Sequence, residues 1–211
     1  MILDKINQEA PFVRKDNFQL LFKEIRDNSF DQNIKNWLKS DKIIALKRGF
    51  YIFSRYWDRC QDKDGYLNYL SSVLYYPSYI SKETVLARYG MLTEAVYGIS
   101  AVGLKTSRAF SSRITIFNYS KIKESLFTGF GEQYFLNNRY YIATKSKALF
   151  DYLYFYKRKI KRVNRHMVDE LRINFEEMKK SDWEEFEGYL GISRSLKLEK
   201  IYKIIGAEYV F

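Results

Sequence analysis

The chain has 211 residues, of which 46% are hydrophobic, and its 36 Lys and Arg against 25 Asp and Glu give a formal net charge of +11. This length and apolar content suffice for one large domain or two small ones with a buried core. The excess of positive charge is unusual for an enzyme of small neutral metabolites and favours a polyanionic partner, nucleic acid first and an anionic membrane surface second.

Composition also bears on the compartment. No stretch approaches the roughly 18 apolar residues that a membrane helix needs, and the N-terminal "MILDKINQEA" lacks the basic and then apolar segments of a signal peptide. The one cysteine, Cys60, has no internal disulfide partner, which agrees with a reducing compartment. We therefore expect a cytoplasmic protein without a membrane span.

The sequence offers few groups for catalysis. His166 is the one histidine, which disfavours zinc sites and catalytic triads, and no Gly-rich nucleotide loop, Walker loop or nucleophile elbow occurs. Paired carboxylates such as Glu176-Glu177 and Glu184-Glu185 are typical of a solvated helix face. We expect no enzymatic activity, no cofactor and no metal site.

Two helices are predicted before residue 40. Apolar residues at helical spacing mark both, in "DNFQLLFKEIR" (Phe18, Leu21, Phe22, Ile25) and in "NSFDQNIKNWLKS" (Phe30, Ile34, Trp37, Leu38). A turn through Asp27-Asn28 separates them. Ser29 followed by Gln32 is a capping-box pattern, which predicts that the second helix starts there.

A β-hairpin is predicted next, in "DKIIALKRGFYIFSRYW". Residues 43–46 and 50–53 are β-prone runs, and Gly49 between them supplies a turn conformation. Lys47 and Arg48 stand at the tip, where a turn usually carries Asn or Asp.

Two helices followed by a hairpin with a basic tip predict a winged helix-turn-helix over residues 1–62. In such a module the second helix enters the major groove, and the wing meets phosphate or the minor groove. The predicted DNA-binding residues are Ser29, Gln32, Asn33 and Asn36 at base edges and Lys35, Lys39, Lys47 and Arg48 at phosphates. Asp31 on the same face argues against DNA, and the alternative is a structural winged helix that binds protein.

A second domain is predicted over residues 63–211, after the polar stretch Asp62 to Gly65. A helix begins at Ser81 with Thr84 and stops at Gly90, and strands follow in "VYGISAV" and "RITIFNYS". "EQYFLNNRYYIAT" predicts a hairpin with a turn at Asn137-Asn138, and "KSKALFDYLYFYKRK" predicts a helix. The fold class is therefore α+β.

Charge is unevenly distributed in this domain. Two basic segments form a candidate surface for DNA or a partner protein, with solvated charge as the alternative: Lys105, Arg108 and Arg113, then Lys157, Arg158, Lys159, Lys161, Arg162 and Arg165. Acids dominate from Asp169 to Glu187, where Ser181 with Glu184 is a capping-box pattern. That acidic part suits a basic protein partner better than DNA.

Several short segments follow one another in a recognisable order downstream of "LKRGFYIF". They are "YISKETVLARYGML", "VYGISAV", "KTSRAF", "FNYSKIKESLFTGF", "ATKSKALFDYLYF" and "ELRINFEEM". Their order resembles that of the AbiEi-type antitoxins of type IV toxin-antitoxin (abortive infection) systems. The resemblance runs from the predicted winged helix through about Met178. It implies a bacterial winged-helix repressor that binds double-stranded DNA of its own promoter region, and a C-terminal antitoxin domain that counteracts a nucleotidyltransferase-like toxin.

The chain departs from the family at one motif. Where the family usually has A-T-P-E-K-A-L-x-D, residues 143–151 are "ATKSKALFD", so that Lys145 and Ser146 replace Pro and Glu and the local charge changes by two units. Thr144 can still cap the helix that follows.

Two other functions are open on the residues alone. One is a protein-interaction antitoxin module without specific DNA binding. The other is a nucleic-acid-processing enzyme that uses the carboxylates and the cationic face.

Overall fold

The computed structural model describes residues 11–17 and 27–208, and the backbone alone for residues 27–29. Two β-sheets with helices packed against them confirm the predicted α+β class. The helices are α1 Asp27–Lys39, α2 Ser54–Arg59, α3 Lys63–Leu74, α4 Glu83–Arg88, α5 Lys145–Tyr156, α6 Arg165–Asp169, α7 Lys180–Ser193 and α8 Leu196–Glu208. The strands are β1 Val13–Arg14, β2 Ile43–Lys47, β3 Phe50–Phe53, β4 Ser78–Ile80, β5 Ile99–Gly103, β6 Arg108–Ser111, β7 Ile116–Lys121, β8 Phe130–Phe135 and β9 Asn138–Ala143.

The N-terminal sheet contains the predicted hairpin. Its strand order is β1-β3-β2, all antiparallel, and Ile43 of β2 pairs with Phe53 of β3. The helix predicted from Phe18 to Ile25 lies outside the described residues. The predicted turn at Asp27-Asn28 and the helix start at Ser29 are wrong, because Asp27 and Asn28 are already helical.

The hairpin is buried on both faces. Ile43, Tyr51 and Phe53 pack against Phe30, Ile34 and Trp37 of α1, in a small cluster of their own. Ile44, Leu46 and Ile52 point the other way, into the large core of the rest of the chain. Strands covered on both sides have near-continuous apolar sequences, as "IIAL" and "FYIF" do. The N-terminal segment is therefore packed against the second sheet.

The second sheet has six strands in the order β6-β7-β5-β4-β9-β8. It is mixed, because β4 runs parallel to β9 and β5 parallel to β7, while the other neighbours are antiparallel. Helix α3 contacts the strands β4, β5, β8 and β9, and α5 packs against α4 and α7. The predicted domain boundary at residue 62 falls at the start of α3, where the Asp62 carboxylate accepts a hydrogen bond from the Gly65 N–H at 2.8 Å. The division into two domains stays a prediction.

Two turns and caps differ from the sequence prediction in this part. The β8–β9 hairpin turns at Leu136-Asn137, one residue earlier than predicted, because Phe135 is buried against Tyr66 and Tyr69 and fixes the register. Helix α7 begins at Lys180, so the predicted Ser181 box is wrong; the Lys179 N–H donates to Asp182 Oδ2 at 2.9 Å instead.

The predicted helix start at Ser81 with Thr84 is also wrong, because α4 begins at Glu83. The Thr84 hydroxyl accepts a hydrogen bond from the Ser100 N–H of β5 at 2.8 Å, so it ties α4 to the sheet. Ser81 donates instead to a buried carboxylate of α5.

That carboxylate is Asp151, which forms a fully buried ion pair with Lys147 one turn earlier in α5. The other carboxylate oxygen accepts hydrogen bonds from the hydroxyls of Tyr79, at 2.9 Å, and Ser81, at 2.8 Å. Burial raises the pKa of Asp151 and lowers the pKa of Lys147, and their contact opposes both shifts. The pair thus joins α5 to β4.

Lys145 and Ser146, the two departures from the antitoxin motif, lie beside this pair, and the buried Ser146 hydroxyl has no hydrogen-bond partner among the described residues. Thr144 Oγ1 accepts a hydrogen bond from the Lys147 N–H, so the predicted cap of the helix is confirmed. Lys145 Nζ lies 2.6 Å from Asp182 Oδ2 at the start of α7, and Ser146 is fully buried. The added cation therefore pairs with a carboxylate of the same chain.

In the part of the chain that the structure describes, no helix has the length and apolarity needed to cross a bilayer.

Replacing Lys147 by Met should destabilise the protein by ~3–5 kcal/mol at neutral pH, because it leaves the Asp151 carboxylate buried without its countercharge. In this variant the folded-state pKa of Asp151 rises above its unfolded value of about 3.9, so the destabilisation is lost below about pH 4 and grows as the pH rises. Urea unfolding at several pH values measures both effects. Lys180→Met, on an exposed site, serves as the control, and an equal loss at pH 4 and pH 7 would contradict the assignment.

Candidate nucleic-acid interface

Helix α1 presents a polar face to solvent. Gln32, Lys35, Asn36 and Lys39 are exposed, Asn33 is half-buried, and Gln32 Nε2 donates a hydrogen bond to Asn36 Oδ1 at 3.2 Å. The backbone of Ser29 lies on the same helix, and its side chain is outside the described part. The predicted base-reading residues Gln32 and Asn36 therefore lie one turn apart on one accessible face.

Asp31, an acid on the exposed face of this helix, is paired with a cation. Its Oδ1 lies 2.6 Å from Lys15 Nζ, which comes from the segment after β1. The pairing offsets the negative charge that Asp31 brings to the exposed face of α1.

The two cations predicted for the hairpin tip are placed differently. Arg48 is exposed at the turn, beside Gly49, whose φ of +78° is a left-handed conformation that favours glycine. Lys47 is half-buried, and its Nζ donates a hydrogen bond to the Leu74 carbonyl oxygen, at the end of α3, at 2.5 Å. Of the predicted pair, Arg48 is thus the residue that solvent reaches freely.

Lys47 lies among aromatic rings and other cations. Its Nζ is 4.4 Å from the ring centroid of Phe50 and 5.0 Å from that of Phe110. Burial lowers the pKa of Lys47, and the nearby charges of Arg108, Arg14 and Lys105 lower it further. The cations on and just before β6 therefore lie close enough to the hairpin tip to lower the pKa of Lys47.

A cavity of about 810 Å³ lies between the hairpin tip, the end of α3 and strand β6. We call it the basic groove. None of the described residues that line it is acidic, and its cationic and aromatic members are Lys47, Arg48, Lys105, Arg108, Tyr75, Tyr76 and Phe110. Lys105 and Arg108 each lie 6.0 Å from the Tyr75 ring centroid. The fold thus joins two cations of the predicted wing to two of the basic segment in the second sheet.

Sequence reasoning missed Arg14. Its guanidinium lies 5.4 Å from the Phe50 ring centroid and pairs with Asp16 at 3.1 Å. Arg14 reaches this position because β1 pairs with β3, with Arg14 opposite Phe50. The two-residue strand β1 is too short to leave a pattern in the sequence.

Arg113 is not part of the groove. Its guanidinium pairs with the Asp41 carboxylate and donates to Ser54 Oγ at 3.2 Å, so it connects the second sheet to the start of the hairpin and to α2. The Ser112 hydroxyl adds a hydrogen bond to the Ala45 carbonyl at 2.8 Å. The Ser112 bond holds β2 beside the end of β6, and the Arg113 contacts hold the open end of the hairpin.

The basic segment from Lys157 to Arg165 forms a separate surface. Lys157 Nζ donates to Ser195 Oγ at 3.1 Å, and the pKa of Lys157 is lowered by burial and by Arg158, Lys123 and Lys197. Arg165 pairs with Glu208 at 2.6 Å. Exposed cations between them are Arg158, Lys159, Lys161 and Arg162. This segment therefore packs against α8, and the cations that perturb Lys157 differ from those that perturb Lys47.

The basic groove combines what binding of a phosphate chain requires. Arg48, Lys105 and Arg108 are exposed and can approach phosphate oxygens, and the half-buried Lys47 adds to the positive charge of the groove. Comparison with models of known protein families finds no match, and comparison with characterised protein sequences finds no significant similarity.

Sulfate should stabilise this chain more than chloride does at equal ionic strength, since a bound divalent anion relieves the repulsion among the groove cations. With sulfate well above its dissociation constant, we expect Tm to rise by ~2–4 °C. Lys105→Gln with Arg108→Gln should remove most of that rise. Lys161→Gln with Arg162→Gln is the matched control. A thermal scan that gives equal rises for both double variants would show that the groove is not the anion site.

Proposed function

We propose that the chain is a DNA-binding transcriptional repressor of its own operon and an antitoxin that counteracts a nucleotidyltransferase-like toxin. The resemblance to AbiEi-type antitoxins implies both activities. The main observation in favour of DNA binding is the basic groove. Its exposed cations Arg48, Lys105 and Arg108 come from two parts of the chain, and none of its described lining residues is acidic.

The N-terminal segment supports the interpretation as a winged helix-turn-helix. Helix α1 precedes an antiparallel hairpin, and β1 completes a three-stranded sheet against β3, which is the order expected of such a module. In this proposal α1 enters the major groove, with Gln32 and Asn36 at base edges and Lys35 and Lys39 near phosphates.

The basic groove extends the interface beyond the wing. Arg48 meets the phosphate backbone beside the recognition helix, and Lys105 and Arg108 continue the path onto the second sheet. Lys47 has a different role: its hydrogen bond to Leu74 holds the hairpin tip, and its charge adds to the field without touching the DNA. The repulsion among these cations is offset when phosphates lie between them.

The antitoxin half rests on the resemblance and on the acidic C-terminal part. Some of these acids stabilise the fold: Asp182 pairs with Lys145, and Glu187 accepts a hydrogen bond from the Tyr202 hydroxyl at 2.5 Å.

The alternative function is a module that neutralises the toxin by protein contact and has no operator. Deletion of residues 1–62 would not separate the two, because Ile44, Leu46 and Ile52 belong to the large core. Point variants of the groove residues separate the two functions better than this deletion does.

Replacing Arg48, Lys105 and Arg108 by Ala should weaken binding to all DNA sequences, since cations that meet phosphates read no bases. The slope of log K against log salt should become shallower by ~0.9 for each phosphate that the variant no longer neutralises. All three side chains are exposed, so the fold should be unaffected. Fluorescence anisotropy across a salt series measures the slope.

Lys180→Ala, Lys200→Ala and Lys203→Ala remove the same charge from exposed sites on α7 and α8 and form the matched control. An equal loss of affinity in both triple variants would show that the groove residues contribute only to the net charge and do not contact DNA. Neutralisation of a co-expressed toxin that survives the groove variant, together with no operator preference in the wild type, would favour the protein-contact alternative.

Replacing Gln32 and Asn36 by Ala should act on specificity instead. Removing each side chain from a base edge costs ~1–3 kcal/mol for the preferred site. Affinity for scrambled DNA should not change, because neither side chain is charged. Competition between the two DNAs gives the specificity ratio, and Gln61→Ala with Asn137→Ala, both exposed, is the control. A specificity ratio that does not fall would show that Gln32 and Asn36 of α1 do not read bases.

A further inference from the structure

The basic groove is a cavity as well as a charged surface. Its volume of about 810 Å³ lies within the range of about 300–1,000 Å³ that is usual for small-molecule sites. A DNA duplex is a broad rod, so its backbone can follow the rim of this cavity but does not fill it. The groove therefore has room for a ligand smaller than DNA.

The exposed cations of the groove lack partners of opposite charge. Arg139 and Arg172, two other exposed arginines, each pair with a carboxylate at 2.8 Å. None of the acids that the structure describes forms an ion pair with Arg48, Lys105 or Arg108. The positive charge of these three side chains is therefore available to a ligand.

These cations also lie close together. Lys105 and Arg108 are each 6.0 Å from the Tyr75 ring centroid, and both lower the pKa of Lys47. The phosphates of duplex DNA are spread along its two strands, whereas a triphosphate concentrates several negative charges in one short chain. A triphosphate can therefore contact the clustered cations together and relieve their mutual repulsion.

Tyr76 adds an exposed aromatic ring to the groove. It is 67% exposed, and its ring has no aromatic or cationic partner among the described residues. The ring of Tyr75, in contrast, lies 4.8 Å from that of Tyr119, and the Tyr75 hydroxyl donates to the Thr106 carbonyl oxygen at 2.6 Å. Of the two tyrosines, Tyr76 is thus the one on which a planar ligand can stack.

Stacking distinguishes a nucleotide from duplex DNA and from an inorganic anion. The bases of an intact duplex are stacked on one another, whereas the base of a free nucleotide has an open face for an aromatic ring. An inorganic anion uses the cations alone. A single strand that follows a groove stacks successive bases on several rings, and here one freely exposed ring stands beside the cations. This combination suits one base attached to a short phosphate chain.

We propose that the basic groove binds a nucleoside triphosphate, with its phosphates among Arg48, Lys105 and Arg108 and its base on the ring of Tyr76. The nucleotide uses the same cations as the DNA phosphates, so a bound nucleotide excludes DNA from the groove. This exclusion rests on the proposed DNA binding, whereas nucleotide binding itself does not.

The test is a calorimetric titration of the full chain with ATP and with inorganic tripolyphosphate, without divalent cations. We expect one ATP per chain, bound about tenfold or more tightly than tripolyphosphate, which has the negative charge but no base. Lys105→Gln with Arg108→Gln should weaken the binding of both ligands, and Lys161→Gln with Arg162→Gln should change neither. No saturable ATP binding by the wild type, or equal affinity for the two ligands, would overturn the proposal.

Tyr76→Ala separates stacking from charge. It should lower the affinity for ATP to that for tripolyphosphate and leave tripolyphosphate binding unchanged, whereas Tyr76→Phe keeps the ring and should bind ATP as the wild type does. Tyr97→Ala, which removes an 89% exposed tyrosine outside the groove, is the control. Unchanged ATP affinity in Tyr76→Ala would overturn the proposal. A loss confined to a short oligothymidylate would do the same and assign the ring to a single strand.

Displacement of duplex DNA of the chain's own promoter region tests the exclusion. ATP should release this DNA from the wild type at concentrations that leave it bound to Tyr76→Ala. ATP that binds and yet leaves the DNA in place would overturn the exclusion. ATP binding by a chain that has no preference for its promoter DNA would support the nucleotide site and contradict the repressor function alone, and promoter binding without ATP binding would do the reverse.

Discussion

The arrangement of this molecule depends on a hairpin that is buried on both faces. Ile43, Tyr51 and Phe53 hold α1 on one side, while Ile44, Leu46 and Ile52 enter the large core on the other. Burial of a large aliphatic side chain contributes about 1.5–3 kcal/mol, so the two faces together fix the hairpin firmly. Because the hairpin is fixed, its tip has one position, next to strand β6.

That position explains why the two cations of the tip differ. Lys47 points inward, donates a hydrogen bond to the Leu74 carbonyl and has its pKa lowered by burial, whereas Arg48 stays in water. Placing them beside Lys105 and Arg108 concentrates positive charge where no acid among the described lining residues balances it. Such a field destabilises the chain alone and is relieved by a polyanion, which is a common arrangement at binding sites.

Individual helices and hairpins could be predicted well from the sequence, whereas the tertiary contacts between distant elements could not. The β2–β3 and β8–β9 hairpins and helix α5 follow from alternation, turn residues and helical spacing, which are local signals. The basic groove does not, because it joins residue 48 to residue 108 through packing of the hairpin against strand β6, which belongs to the other sheet. The buried pair of Lys147 and Asp151 could not be foreseen either: an i, i+4 charge pair in a sequence is usually exposed, and only the tertiary fold buries it. Arg14 was missed for a similar reason, since β1 has two residues.

We propose above that α1 and the basic groove together recognise a specific duplex. The most direct measurement is binding of the full chain to the DNA upstream of its own coding sequence and to scrambled DNA of equal length, across a salt series. We expect a preference of ~10³ or more for the upstream fragment, with steep salt dependence for both. Equal affinity for the two fragments at every salt concentration would contradict it and leave only a basic protein that binds polyanions.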